Sequence, residues 1–224
     1  MATSTVEDYL KQIYQAELAS PGSLVPTGQV AMALEVAPGT ATAMVKTLAE
    51  AGLVEYEPYT GVRLTVAGEK LAAHVLRRHR LVELFLVEVM GMDWSEVHGE
   101  AERLEHAVSE RLLERIDAML GRPEVDPHGD PIPTAGGAVA TADYADLVTC
   151  PVGESLVLVQ VTEQAADFLQ LMERYRLVPG VSVEVVARDE HADTVEVRPL
   201  GGDRISLGFR AASKIRVASP GPVK

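Results

Sequence analysis

Residues 26–64 read PTGQVAMALEVAPGTATAMVKTLAEAGLVEYEPYTGVRL. Thr27 is placed to cap a short helix carrying Val30, Ala31 and Leu34, and Ala37-Pro38-Gly39 then makes a turn. A second helix is expected from about Gly39 to Ala51, burying Met44, Val45 and Leu48, with Gly52 as its stop. That is helix-turn-helix spacing. Val54 to Tyr56 and Val62 to Leu64 follow as two short strands joined by Glu57-Pro58-Tyr59-Thr60-Gly61, which makes the unit a winged helix.

On DNA, the second helix would enter the major groove with Pro38, Gly39, Thr40, Thr42, Ala43 and Lys46 outward, mostly small residues that permit close approach. Thr27, Lys46, Tyr59, Thr60 and Arg63 are placed to contact phosphates. Winged helices also serve as protein-interaction modules, and this spacing alone leaves that alternative open. The charge argues against nucleic acid: the chain carries a net −13, and residues 1–73 hold Lys11, Lys46, Arg63 and Lys70 against eight acidic side chains. DNA affinity would then depend on the placement of few charges, or on carboxylates neutralised by bound cations.

Upstream, Ser4-x-x-Glu7 reads as a capping box, and Val6, Leu10, Ile13, Tyr14 and Leu18 recur at helical spacing, so a helix is expected from about Thr5 to Ala19. Asp8 sits in its first turn, where a carboxylate also serves simply to complement the helix dipole. Downstream, Thr65 can cap a long helix from Val66 to Gly91. Another helix, capped by Asp93 or Ser95, is expected to reach about Leu120. Two adjacent helices with long apolar faces exceed what a small winged helix covers, which points to a dimer interface.

Within Trp94 to His106, the side chains of His98, Glu102, Glu105 and His106 would fall on an arc of about 100° of one helix. Imidazoles and carboxylates on one stripe form a hard to borderline ligand set, suited to Mn(II) or Fe(II) more than to Zn(II) or Cu(I). His79 and Glu83, spaced i, i+4, could supply a facing half-site or merely a surface pair. Salt bridges to Arg103 or Arg111 are the plain alternative for the stripe. The familiar metalloenzyme patterns are absent: Arg103 stands where a di-iron bundle needs glutamate, and there is no His-Glu-x-x-His helix, nucleophile elbow or phosphate loop; a carboxylate and histidine metalloenzyme with an incidental winged helix stays as the alternative from another class.

From Gly121 to Cys150, Pro123, Pro127, Pro131 and Pro133 forbid a continuing helix, and the stretch reads as an extended segment followed by a flexible linker. From Ser155 the pattern alternates. Five short strands, Leu156 to Val161, Val181 to Val186, Val195 to Val197, Ile205 to Leu207 and Ile215 to Val217, with one helix from about Ala165 to Tyr175, make a small all-β barrel. The expected fold is thus a mainly α N-terminal winged helix-turn-helix and helical dimerisation domain, followed by that barrel. Its bounds are 1–73, 74–133, a linker over 134–150, and 151–224. No apolar run approaches the roughly 20 residues of a membrane span. The absence of a secretion signal and the single Cys150 point to the cytoplasm.

These residues together resemble the diphtheria toxin repressor family of metal-dependent transcriptional repressors, and within it the manganese transport regulators. The likeness covers nearly the whole chain. It rests on Glu-Asp-Tyr-Leu at 7–10, Pro38 to Val45, the wing Tyr56-Glu57-x-Tyr59-x-Gly61, Arg78-His79-Arg80-Leu81, Glu105-His106, Pro127-x-Gly-x-Pro-Ile-Pro133 and Leu177-x-Pro-Gly180. The resemblance implies a homodimer on a palindromic DNA operator, controlled by two metal ions per subunit, with Mn(II) expected and Fe(II) the alternative. It implies a regulatory site from Asp8, Glu102, Glu105 and His106, and a second from His79, Glu83 and His98. The barrel becomes SH3-like, with Glu163, Gln164 and Asp167 as its candidate ligands.

Two departures bear on the metal. Iron-type members carry Met and Cys where this chain has Asp8 and Glu102, and replacing sulfur by carboxylate favours Mn(II). Small manganese regulators carry Glu at the position of Lys11, where a cation would repel a metal.

Overall fold

The computed structural model describes residues 3–140 and 142–220. The chain divides into two compact units. The first holds the chain up to His79 with Leu104–Ser109 and Pro133–Val139; the second holds Arg80–Arg103, Glu110–Ile132 and the chain from Ala140.

In the first unit, α1 (Ser4–Ala19), α2 (Thr27–Ala33) and α3 (Pro38–Glu50) are followed by the hairpin β1 (Val54–Glu57) and β2 (Gly61–Leu64). Leu10, Ile13, Val30, Ala41, Val45, Leu48 and Val62 form its core, so the apolar periodicity lies on the inner faces as expected. The hairpin is antiparallel, pairing Val54 with Leu64 and Glu57 with Gly61, and Val25 adds a bridge to Val62. A winged helix-turn-helix is therefore present.

Some caps differ from the reading of the sequence. Thr3, not Ser4, caps α1, its hydroxyl accepting from Val6 N at 3.4 Å. Pro26 holds the cap position of α2, so Thr27 is already helical. Pro38 occupies the first position of α3, where its missing N–H costs nothing. Thr65 does cap α4 (Val66–Glu88), accepting from Gly68 N at 3.2 Å. The unit boundary falls inside α4, between His79 and Arg80.

The larger correction concerns the stripe. The helix expected to reach Leu120 is two helices, α5 (Val97–Leu104) and α6 (Glu110–Met119). Glu105 and His106 lie in the intervening turn, which Ala107 N and Val108 N close on Leu104 O. Ser109, a residue type favoured just before a helix, marks the restart.

The second unit carries β3 (Ala145–Asp146), β4 (Ser155–Val161), α7 (Ala166–Arg174), β5 (Ser182–Asp189), β6 (Thr194–Pro199), β7 (Ile205–Gly208), α8 (Phe209–Ala212) and β8 (Ile215–Ala218). Its sheet runs β3-β8-β4-β5-β6-β7, antiparallel throughout. The five expected strands are all there, their alternate residues Leu156, Leu158, Val183, Val185, Val195, Val197, Ile215 and Val217 filling an SH3-like barrel. A sixth strand, β3, comes from the stretch read as flexible linker, and Leu147 and Cys150 of that stretch are buried in the barrel core.

The proline-rich stretch is also more than extended chain. Val125 pairs with Pro131, and Asp126 closes the loop by accepting through Oδ1 from His128 N at 2.8 Å and Asp130 N at 2.9 Å. Val161 N donates to His128 O at 2.8 Å, which fastens the loop to the end of β4.

Candidate metal centres and DNA-facing surface

In the first unit, α1 and the turn after α5 bring Asp8, Glu105 and His106 together, each with a ligand atom within 4.8 Å of the others. His106 Nε2 lies 2.8 Å from Asp8 Oδ1 and 3.4 Å from Glu105 Oε1. His106 Nδ1 lies 2.8 Å from Glu7 Oε2, which in turn pairs with Arg78 Nη2 at 3.0 Å. Glu105 is fully buried; Lys11 Nζ approaches its Oε1 at 2.7 Å and His79 Nδ1 its Oε2 at 2.6 Å. Burial pushes the Glu105 carboxyl up, but the His79 hydrogen bond and the Lys11 charge outweigh it and hold the group below its ordinary value. Glu105 is therefore an anion at neutral pH. The donors are carboxylate oxygens and an imidazole nitrogen with no sulfur, which fits a divalent ion of the Mn(II) or Fe(II) type.

Of the other expected ligands of that site, Glu102 belongs to the second unit, where its Oε1 lies 3.7 Å from His98 Nε2. Of the expected second set, Glu83 Oε1 and His98 Nδ1 lie 3.2 Å apart in the second unit, and His79, in the first, meets Glu105 through Nδ1, which leaves its Nε2 for an ion.

Sequence reasoning missed a cluster in the second unit. Glu83, Asp126 and His128, all buried, offer three ligand atoms within 4.8 Å of one another. Asp126 Oδ2 and His128 Nδ1 are buried and make no hydrogen bond among the described residues. Burial, with the charges of Asp130 and Glu83, pushes the Asp126 carboxyl well above its ordinary value. Crowded carboxyl groups and an imidazole with a spare nitrogen suit a cation. His128 Nε2, 3.0 Å from Trp94 O, and a stack on the Trp94 ring hold the imidazole in place. The only signal in the sequence was the closeness of Asp126 and His128 among prolines, and it is the turn closed on Asp126 that sets the two side chains beside Glu83.

Gln164 Nε2 donates to Asp130 Oδ2 at 2.8 Å, Glu163 Oε1 accepts from Ala165 N at 3.3 Å, and Asp167 Oδ1 accepts from Phe168 N at 2.9 Å.

On the winged helix, Pro38, Gly39, Thr40, Ala43 and Lys46 are exposed along α3, and Tyr59, Thr60 and Arg63 along the wing. Thr27 and Thr42 are half-buried, and the Thr42 hydroxyl donates to Pro38 O at 2.9 Å. Arg63 is paired with Glu55 at 2.5 Å, so a phosphate there would compete with a carboxylate.

Three regions match known family models: residues 1–62 the iron dependent repressor N-terminal DNA binding domain, residues 65–134 the iron dependent repressor metal binding and dimerisation domain, and residues 146–219 the FeoA domain. The chain is 32% identical over 225 residues to the iron-dependent repressor IdeR of Mycobacterium leprae, covering 95% of this chain and 96% of that one. It is 32% identical over 199 residues to the diphtheria toxin repressor of Corynebacterium diphtheriae, covering 84% and 86%. Among solved structures, a manganese-dependent transcriptional repressor in complex with manganese superposes with a TM-score of 0.88 at 39% identity, covering 96% of this chain and 100% of that one.

Proposed function

We propose that this chain, which belongs to the diphtheria toxin repressor family of metal-dependent transcriptional repressors, is activated by Mn(II) and binds a palindromic operator as a homodimer to control metal-uptake genes in the cytoplasm. The family comprises repressors rather than enzymes. The observation that carries the reading is the convergence of Asp8, Glu105 and His106 without a sulfur ligand. Fe(II) activation is the alternative, drawn from the iron-dependent relatives.

Two ions per subunit are assigned. The regulatory ion is given Asp8, Glu105 and His106, with Glu102 as the fourth ligand. The second is given Glu83, Asp126 and His128, because Asp126 Oδ2 and His128 Nδ1 are buried without a hydrogen bond among the described residues; the expected group of His79, Glu83 and His98 is the alternative, since His79 meets Glu105 through Nδ1 alone and keeps Nε2 for an ion. A divalent ion at either place supplies positive charge that cancels clustered carboxylates. Asp8 stands on α1 and Glu105 and His106 on a turn remote in sequence, so their joint engagement fixes α1 against that turn.

Residues 1–73 are assigned to DNA and 74–133 to metal and dimerisation. In the dimer, the two copies of α3 must match half-sites about one helical turn, roughly 34 Å, apart. Coupling between metal and DNA is then reciprocal.

The test is binding to a palindromic operator with Mn(II), with Fe(II) under anaerobic conditions, and without metal. Equal binding in a chelator overturns the reading, and stronger activation by Fe(II) selects the alternative. Glu102→Cys should shift the response toward softer metals; an unchanged metal ranking would remove Glu102 from the site.

A further inference from the structure

The regulatory cluster contains a cation that a metal site does not call for. Lys11, one turn after Asp8 on α1, is 1% exposed, with its Nζ 2.7 Å from Glu105 Oε1. A lysine is almost never buried to this degree unless paired, because an unmatched ammonium out of water is heavily penalised. The oxygen it holds is the one 3.4 Å from His106 Nε2, and the other oxygen of Glu105 is held by His79. Both oxygens of this ligand are thus engaged by the chain's own donors, one of them a full positive charge.

We infer that Lys11 is an internal counter-cation, which balances Glu105 in the metal-free chain and lowers the affinity of the regulatory site for divalent ions. The inference rests on Asp8, Glu105 and His106 being that site. An ion there either shares Glu105 Oε1 with the ammonium, at the cost of like-charge repulsion, or displaces it and leaves a buried lysine without its partner. Either cost is subtracted from metal binding. The metal concentration at which the protein responds is then set by a residue that touches no metal, and Lys11 is a positioning residue acting through Glu105.

The experiment uses the full chain as the unaltered protein and as Lys11→Met, Lys11→Arg and His106→Ala. Mn(II) affinity is read by competition with a fluorescent chelator, and thermal unfolding is followed without metal. Lys11→Met keeps the apolar stem and removes the charge. It should bind Mn(II) more tightly by about tenfold or more, as expected for removing a like charge at hydrogen-bond range, while its metal-free unfolding temperature falls. Lys11→Arg should keep the lower affinity. A Lys11→Met chain that folds only when Mn(II) is supplied also supports the inference. Affinity that is unchanged or weaker, or failure to fold even with Mn(II), overturns it. His106→Ala should lose one equivalent of Mn(II): if it does not, the site and the inference fall together, and if it does, an unchanged Lys11→Met overturns the inference alone.

Discussion

The Nδ1 of His106 lies 2.8 Å from Oε2 of Glu7, the residue immediately before the Asp8 that meets the same ring at Nε2. A ring nitrogen that donates to a carboxylate fixes the tautomer, leaving the other nitrogen's lone pair directed to a ligand position. Arg78 steadies Glu7 in turn. Glu7→Gln should therefore weaken Mn(II) binding by about 10-fold or more, the usual effect of removing such a support, and leave the fold intact. Isothermal titration checks this; unchanged affinity would mean that Glu7 only packs.

Gly129 is wedged against β4. At φ +87, a β-carbon there would stand 2.0 Å from Val159 O and 2.8 Å from Gln160 Cα. Gly129→Ala must push the loop off the strand and break the bond from Val161 N to His128 O. A loss of about 2–4 kcal/mol is expected in denaturant unfolding, from backbone clash and a disfavoured φ. Because the same loop carries Asp126 and His128, the variant should also lose the second equivalent of metal, measured by elemental analysis after dialysis.

Asp126 gives the metal-free chain an unusual pH dependence. Its folded-state pKa is raised, so ionisation is harder in the fold than in the unfolded chain. Its contribution to stability is therefore lost as pH rises from the ordinary carboxylate range, about 4, through the raised value. Asp126→Asn keeps an Oδ1 to accept from His128 N and Asp130 N. In a chelator at neutral pH it should be more stable than the unaltered protein, and it should gain less stability from Mn(II). Denaturant melts from pH 5 to 8 test both signs; a variant less stable than the parent at neutral pH would refute the argument.

Lys46 is exposed on α3 and carries one of few positive charges in the winged helix. Lys46→Ala should weaken operator binding without changing the preferred sequence, and reduce the slope of log K against log salt by about 1. Fluorescence anisotropy at several salt concentrations measures it, and an unaltered slope would take Lys46 off the phosphates.

The winged helix and the barrel were readable because their signals are local. Val45 and Leu48 are buried at helical spacing, Leu156 and Leu158 at strand spacing, and Pro38 and Gly52 punctuate the chain where α3 begins and ends. The carboxylates and histidines were visible for a related reason: few structural roles place so many of them close together. The loop of Asp126 and His128 was hidden, since prolines announce only that no helix continues. Its order comes from a bridge, an aspartate-closed turn and a strand more than thirty residues downstream.

The ligand stripe divides along the same line. Residue types alone established that Glu105 and His106 are candidates and that the ions they suit are those that accept oxygen and nitrogen donors. Tertiary structure decided their partners. The helix ends at Leu104, so both residues leave the arc on which a continuous helix would have set them, and His106 meets Asp8 while Glu105 meets Lys11 and His79. Periodicity carries information over a turn or two of chain, whereas a buried charge takes its partner from wherever the fold provides one.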